Sequence, residues 1–496
     1  MVQGAGLTDT IVAAATPPGP GALAVVRISG PGAFSLRSAL APDLRAPAHR
    51  RAMLAGLHDP ETGELLDRGI VTSYPAPASY TGEDMVEISC HGGYLIPGLL
   101  VEHALEAGAR MAEPGEFTRR AYLNGKMDLL QAEAVCDLVG GRSRALHRVA
   151  VHQMERGLSA RMTAARESLV TLEALLVHHL DFPDEDEPPT SLESVAREAR
   201  EVRLRLEGVL ATAPEGELLR EGALTVLAGR PNSGKSSIFN ALVGYERAIV
   251  TEVPGTTRDA LEATVSLSGY PFRLVDTAGL RETAERVEAL GIEVARRYLA
   301  RADLVLYCAE GDEGVSEADL EFLGACDCPF LVLETKADLA RRGNGATRKY
   351  VDAGENGYSR SEAGPNRVGI ATAGQRGRPR TAATGRSEPL PRRIATSVVT
   401  GEGLEELGRV LPGMVFGGLV QANADTPVVT RRRHRRALER AVEELNAFEG
   451  ALADGIPAEV AATHLRPAET ALEDILGIVT LDEVLDRVFR DFCIGK

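Results

Sequence analysis

Residues 222–244, GALTVLAGRPNSGKSSIFNALVG, admit few architectures. An apolar run rich in Leu and Val leads into a glycine-containing turn, and a helical apolar period follows. The turn fits G-x-x-x-x-G-K-[ST] from Gly229 to Ser236. In that setting successive backbone N–H groups face an anion at a helix N-terminus, and a lysine reaches the outer phosphate oxygens. The segment therefore predicts an α/β sheet carrying a phosphate loop made of Asn232, Ser233, Gly234, Lys235, Ser236 and Ser237. The Ser236 hydroxyl is the expected Mg2+ ligand of that loop.

Further elements follow in order. "VPGTTRD" supplies Thr257, the candidate switch threonine for Mg2+ and the γ-phosphate, and "FRLVDTAG" supplies Asp276, Thr277, Ala278 and Gly279 after a strand. "PFLVLETKAD" then ends a strand with Thr335, Lys336 and Asp338. An aspartate in [NT]-K-x-D accepts hydrogen bonds from guanine N1 and N2, so Asp338 selects guanine over adenine. Thr335 stands where asparagine is commoner, and Ser397 in "TSVVTGEG" lies where a loop contacts guanine O6. These elements predict a GTP hydrolase that uses Mg2+, with Lys235 as a catalytic cation. Leu280 stands where a Ras-like glutamine would orient the attacking water, so another group must place the nucleophile.

At 496 residues the chain has room for about three domains. Residues 1–124 alternate strand-like runs with turns in an α+β pattern, whereas 125–219 and 413–496 carry apolar residues at helical spacing. The strand–helix alternation occupies 220–412, so an α/β domain is expected to be inserted into an all-α domain. Residues 340–393 are rich in Gly, Ala, Arg and Thr without an apolar period, and read as a mostly disordered insertion. No apolar run approaches 18 residues and the N-terminus does not read as a leader, which points to a cytoplasmic protein without a membrane span. The six cysteines lack metal-ligand spacing, and a net charge of −16 argues against general affinity for nucleic acid.

The segments "GRPNSGKSS", "AIVTEVPGTTRD", "DTAGLRET" and "TGEG" resemble the MnmE (TrmE) family of tRNA-modification GTPases, among the TrmE-Era-EngA-like GTPases. So do "TIVAAATPPGPGALAVVRISGP", "SYTGEDMVEISCHGG", "EPGEFTRRAYLNGKMDLLQAEAV" and the terminal "FCIGK". The resemblance implies a Ras-like G domain, an N-terminal folate-binding domain through which a homodimer forms, and a helical domain. It implies K+ bound by Asn232 and completed by Thr251, Val253 and Thr256, some through backbone carbonyls. It also implies a water-positioning role for Glu288, which would explain Leu280. Arg27, Glu87, Lys126 and Lys496 match positions contacting a tetrahydrofolate derivative, in a 5-formyl or methylene form. With a flavoprotein partner resembling MnmG (GidA), in a heterotetramer, such proteins add an aminomethyl-type group, or its carboxymethyl variant, at C5 of the wobble uridine (position 34) of certain tRNAs. FAD is expected on that partner, because no dinucleotide fingerprint occurs here.

Cys493 reads either as a catalytic thiol on a tail reaching the folate site or as a buried structural residue; its Gly-Lys ending does not suit a prenylation box. Cys90 and His91 are adjacent on a strand, point to opposite faces, and so are not expected to form a nucleophile–base pair. Arg431, Arg432, Arg433, Arg435 and Arg436 open a helix where positive charge opposes the macrodipole. They read as a tRNA phosphate contact or as a solvated face. The rival reading of the whole chain is a ribosome-assembly GTPase switch of the Era or EngA kind.

Overall fold

The computed structural model describes residues 9–44, 50–181, 191–245, 262–277, 297–311, 314–339, 392–423, 426–478, 482–490 and 492–496. They fall into two compact units. One comprises Met1–Ala223, Ser266–Pro271 and Phe416–Lys496, and the other Leu224–Val265 and Phe272–Val415.

The first unit begins with β1 (Ile11–Ala14), β2 (Leu23–Ser29), α1 (Ala33–Leu40), β3 (Met53–His58), β4 (Leu65–Tyr74), β5 (Met85–His91), α2 (Leu95–Glu106), β6 (Arg110–Met111) and α3 (Glu116–Leu123). The six strands form one sheet in the order β3-β4-β5-β2-β1-β6. Strand alternation assigns its two faces different work. Ala24, Val26, Ile28, Val86 and Ile88 share a core with Leu36 and Leu40 of α1 and Leu100 of α2. The intervening residues Arg27 and Glu87 are half-buried cross-strand partners in the β2–β5 register.

Five helices follow: α4 (Leu129–Gly140), α5 (Arg144–Met154), α6 (Gly157–Asp181), α7 (Leu192–Leu210) and α8 (Ala213–Glu221). A reciprocal capping box of Asp128 and Gln131 starts α4, and the Ser191 side chain caps α7.

The chain then enters the second unit. Its elements are β7 (Ala223–Gly229), α9 (Lys235–Tyr245), β8 (Glu262–Leu267), β9 (Tyr270–Asp276), β10 (Leu304–Glu310), α10 (Glu317–Gly324), β11 (Phe330–Thr335), β12 (Arg393–Ala395) and α11 (Leu404–Val415). The sheet order is β12-β11-β10-β7-β9-β8, with β7, β10, β11 and β12 parallel. Buried runs such as Leu304–Cys308 and Leu331–Leu333 suit strands covered on both faces. Arg393, placed at the end of the insertion by its composition, instead opens β12. The remaining residues of 340–393, apart from Arg392, lie outside the described residues.

Beyond α12 (Gly417–Gln421) the chain returns to helices: α13 (Arg432–Ala453), α14 (Ala458–Ala461), α15 (Leu465–Leu476) and α16 (Asp482–Arg490). Leu169, Leu172, Val202, Leu206, Leu445, Phe448, Leu472 and Ile475 share one core, so helices from both sides of the α/β segment complete a single bundle. No described helix is long and apolar enough to cross a membrane.

A buried ionic cluster clamps α13 to α4. Glu133 is 2% exposed; its Oε2 lies 2.7 Å from His434 Nε2 and accepts from Arg433 Nη2 at 3.1 Å. Arg431 Nη2 donates to Asp137 at 2.7 Å. Neither reading of the basic run fits these two arginines, because helix α4 supplies buried acids that consume their charge. Arg432 pairs with Glu221 and Arg435 with Glu439, while Arg436 is exposed.

Burial would raise the Glu133 carboxyl, but the charges of Arg433, His434 and Arg431 outweigh it and hold the group well below its usual range. A depressed folded-state pKa gives stability that is present above the ordinary glutamate range and is lost as pH falls through the folded value. Glu133→Ala leaves buried cations without their anion and is expected to cost about 3–5 kcal/mol, read as a lower thermal midpoint at neutral pH.

Candidate functional site

Strand β7 ends at Gly229, whose backbone has φ 138° and passes so close to β10 that a Cβ would lie 2.2 Å from Cys308 O. Only glycine suits that point. The loop then turns through Asn232, at φ 63°, a left-handed conformation that asparagine tolerates better than most residues. Lys235 is 6% exposed and folds back over the loop, donating to Arg230 O at 2.6 Å and Gly229 O at 3.1 Å. One residue further on, Ser236 Oγ donates to Asp276 Oδ2 at 2.5 Å. Thr277 Oγ1 donates to Leu227 O at 2.8 Å, which ties the end of β9 to β7. A hydroxyl and a carboxylate beside a lysine ammonium are the hard-oxygen donors and the cation that a magnesium–phosphate group requires. Asn232, Ser236 and Ser237 are exposed.

The segments that the sequence reads as base-recognising also meet, beside the loop. Ser397 is fully buried, and its Oγ donates to Asp338 Oδ1 at 2.7 Å across 59 residues of sequence. The Thr400 N–H donates to the same Ser397 hydroxyl at 3.3 Å. Lys336, at φ 56°, pairs with Glu310. Thr335 Oγ1 donates to Ser233 O at 2.8 Å, so the strand that leads into the Asp338 turn is tied to the phosphate loop.

Sequence reasoning missed a further tether. Arg230 Nη2 donates to Asp319 Oδ2 at 2.7 Å, and Tyr307 donates to the other oxygen of the same carboxylate. These residues, with Asn232, Ser233 and Glu310, border a cavity of about 260 Å³. Burial would raise the Asp319 carboxyl, but hydrogen bonds from Tyr307, Ser316 and Arg230 bring it down to about 2. The available signal was the helix-start pattern Ser316-x-x-Asp319, which forms a capping box at α10. Thr251, Val253, Thr256, Thr257, Ala278, Gly279, Leu280 and Glu288 lie outside the described residues.

In the N-terminal sheet, Arg27 binds Glu87 Oε1 through Nε at 3.0 Å and Nη2 at 2.8 Å. Its remaining terminal nitrogen, Nη1, donates to Gly495 O at 3.0 Å, bringing the C-terminal tail to this face. Gly495, at φ 92°, lies flush on β1: a Cβ there would be 2.7 Å from Ala14 O. The guanidinium sits 5.4 Å from the Tyr80 ring centre and 5.5 Å from that of Phe117. Tyr74 donates to Glu87 Oε2 at 3.4 Å. Arg27, Glu87 and the tail ending in Lys496 therefore converge. Lys126 is on a separate loop, where its ammonium donates to Pro77 O at 2.9 Å.

Cys493 is exposed, and its backbone carbonyl accepts from the Gly115 N–H at 3.3 Å. The exposure removes the buried structural reading of this cysteine. Cys90 is buried, and burial pushes its thiol up to about 11. His91 instead faces solvent against Asp67, at 2.7 Å, so the two neighbours form no dyad.

Comparison with known proteins assigns this arrangement a family. The family description "MnmE helical domain" matches residues 129–493, spanning both sides of the α/β unit, and "GTP-binding protein TrmE N-terminus" matches residues 10–126. The tRNA modification GTPase MnmE of Moorella thermoacetica is 38% identical, over 99% of this chain and 100% of its own. That of Heliobacterium modesticaldum is 38% identical over 98% and 99%. Among solved structures, the G domain of the T. maritima FeoB iron transporter is 26% identical over 40% of this chain and 98% of its own, with a TM-score of 0.23. The sequence relatives carry the assignment, and that score carries none of it.

Ser397→Ala removes the hydroxyl that holds Asp338. The expected result is about tenfold weaker binding of a fluorescent guanosine nucleotide in an equilibrium titration, with an unchanged far-UV circular dichroism spectrum.

Proposed function

The chain belongs to the MnmE family of tRNA modification GTPases, and on that membership and the geometry of its phosphate loop we propose that it hydrolyses GTP to serve the modification of tRNA. The observation that carries this reading is the meeting of Ser236 with Asp276 at 2.5 Å, beside Lys235. In the proposed complex the backbone N–H groups of residues 232–237 and the Lys235 ammonium hold the phosphates. Ser236, with Thr257, holds Mg2+, with Asp276 behind it, and Asp338 reads guanine. Mg2+ supplies neutralisation of charge on the β- and γ-phosphates.

Asn232, with Thr251, Val253 and Thr256, is proposed to bind K+. That ion would supply the positive charge which an arginine brings in other GTPases. The exposed, left-handed Asn232 supports this, because a carboxamide within the phosphate loop itself has an oxygen to offer a cation. Glu288 is proposed to position the hydrolytic water in place of the side chain that Leu280 lacks.

The proposed one-carbon site is the N-terminal face built on Arg27 and Glu87, with Lys126 and Lys496 as further contacts. The fit is chemical. A carboxylate suits the N–H groups of a pterin, and an arginine or lysine suits the glutamate end of a folate. Cys493, exposed on the tail that Arg27 holds, is proposed as the reactive thiol. The further steps of the reading are a homodimer through the N-terminal domain, an FAD-bearing partner resembling MnmG, and modification at C5 of uridine 34 in the cytoplasm.

Replacing Na+ by K+ is expected to raise GTP turnover at least about tenfold, a rise that Asn232→Ala abolishes. Equal phosphate-release rates in the two salts would remove the potassium reading. Cys493→Ser is expected to abolish modified uridine in tRNA, measured by nucleoside mass spectrometry, while GTP turnover is retained. Full modification by that variant would end the thiol's role.

A further inference from the structure

Strand β11 ends at Thr335, where asparagine is the commoner residue. Thr335 is 2% exposed, and its Oγ1 lies 2.8 Å from Ser233 O in the phosphate loop and 3.1 Å from Ala309 O on β10. Both neighbours are carbonyl oxygens, which only accept. A threonine hydroxyl has one proton to donate. Whichever carbonyl takes it, none is left for a ligand. The adjacent Lys336 ammonium is paired with Glu310. The outer edge of guanine presents N7 and O6, both acceptors, and the spare lone pairs of a hydroxyl cannot bond to either. An asparagine amide has two protons, one for the loop and one for a base.

Resting on the guanine-nucleotide reading above, we propose that Thr335 leaves guanine N7 without the side-chain donor that an asparagine at this position would supply. Thr335 is a strut between the phosphate loop and the base-recognition strand. Discrimination falls on the N1–N2 edge of the base, through Asp338 in the orientation that Ser397 imposes. Thr335 is thus a specificity-determining position that acts by what it withholds.

The test is equilibrium binding to the full chain of GDP, 7-deaza-GDP and ADP, each competing against a fluorescent GDP analogue. In 7-deaza-GDP a carbon replaces N7 and the N1–N2 edge is untouched. The wild-type chain is expected to bind GDP and 7-deaza-GDP within about twofold of each other. Thr335→Asn is expected to favour GDP by about 3–10-fold, the contribution of one neutral hydrogen bond. Thr335→Val is expected to weaken both guanine nucleotides together and leave their ratio unchanged, because it removes the strut alone. A wild-type preference for GDP of about fivefold or more would overturn the proposal. So would a ratio that stays near one in Thr335→Asn, since residue 335 would then not control the N7 edge. Tight ADP binding by the wild type would instead sink the guanine reading itself, a different and separable result.

Discussion

The contact between Ser236 and Asp276 depends on the order of strands in the second sheet. β7 and β9 are neighbours there, and each ends at the edge where the phosphate loop lies. A loop alone would supply N–H groups and a lysine; the sheet adds the carboxylate. β10 and β11 run parallel to β7 and bring Glu310 and Thr335 to the same edge. From there Thr335 reaches Ser233, and the Asp338 loop becomes continuous with the loop for phosphates. Parallel strands place their carboxyl ends together, and ligand sites of open α/β sheets gather there for that reason.

The N-terminal sheet applies a different rule. Its strands are mostly antiparallel, one face is covered by α1 and α2, and the period of two delivers Arg27 and Glu87 to the opposite face as partners. Their mutual ion pair, the surrounding rings and the tail carbonyl give that face a charged centre within an apolar border. A half-buried pair of this kind is worth little to stability, because desolvation offsets much of its attraction. Its value lies in orientation: the guanidinium is fixed between an acid, two rings and the end of the chain.

Legibility in the sequence followed the distance over which each constraint acts. The phosphate loop, Asp276, Asp338 and Ser397 are readable because short motifs hold the chemistry and the surrounding periodicity supplies the strands. The same holds for the α/β unit lying between two helical segments. Arg27 and Glu87 are ordinary charges in isolation, and only the resemblance singled them out; their register explains the pairing afterwards. Of the arginines opening α13, Arg431 and Arg433 escape both sequence readings because Glu133 and Asp137 lie nearly 300 residues earlier, beyond any local pattern. The Arg230–Asp319 tether was missed for the same reason, 89 residues separating its ends. Nothing in the described residues bears on Thr251, Val253, Thr256, Thr257 or Glu288.

That long separation also sets an order of events during synthesis. Glu133 emerges early, yet His434 and Arg433 follow only after the whole α/β segment has been made. Until then a carboxylate destined for the interior must stay hydrated, so α4 has reason to remain open while the inserted sheet folds beside the ribosome. The final helices close the bundle like a keystone, and a chain that stops short of them leaves an acid with nothing to neutralise it.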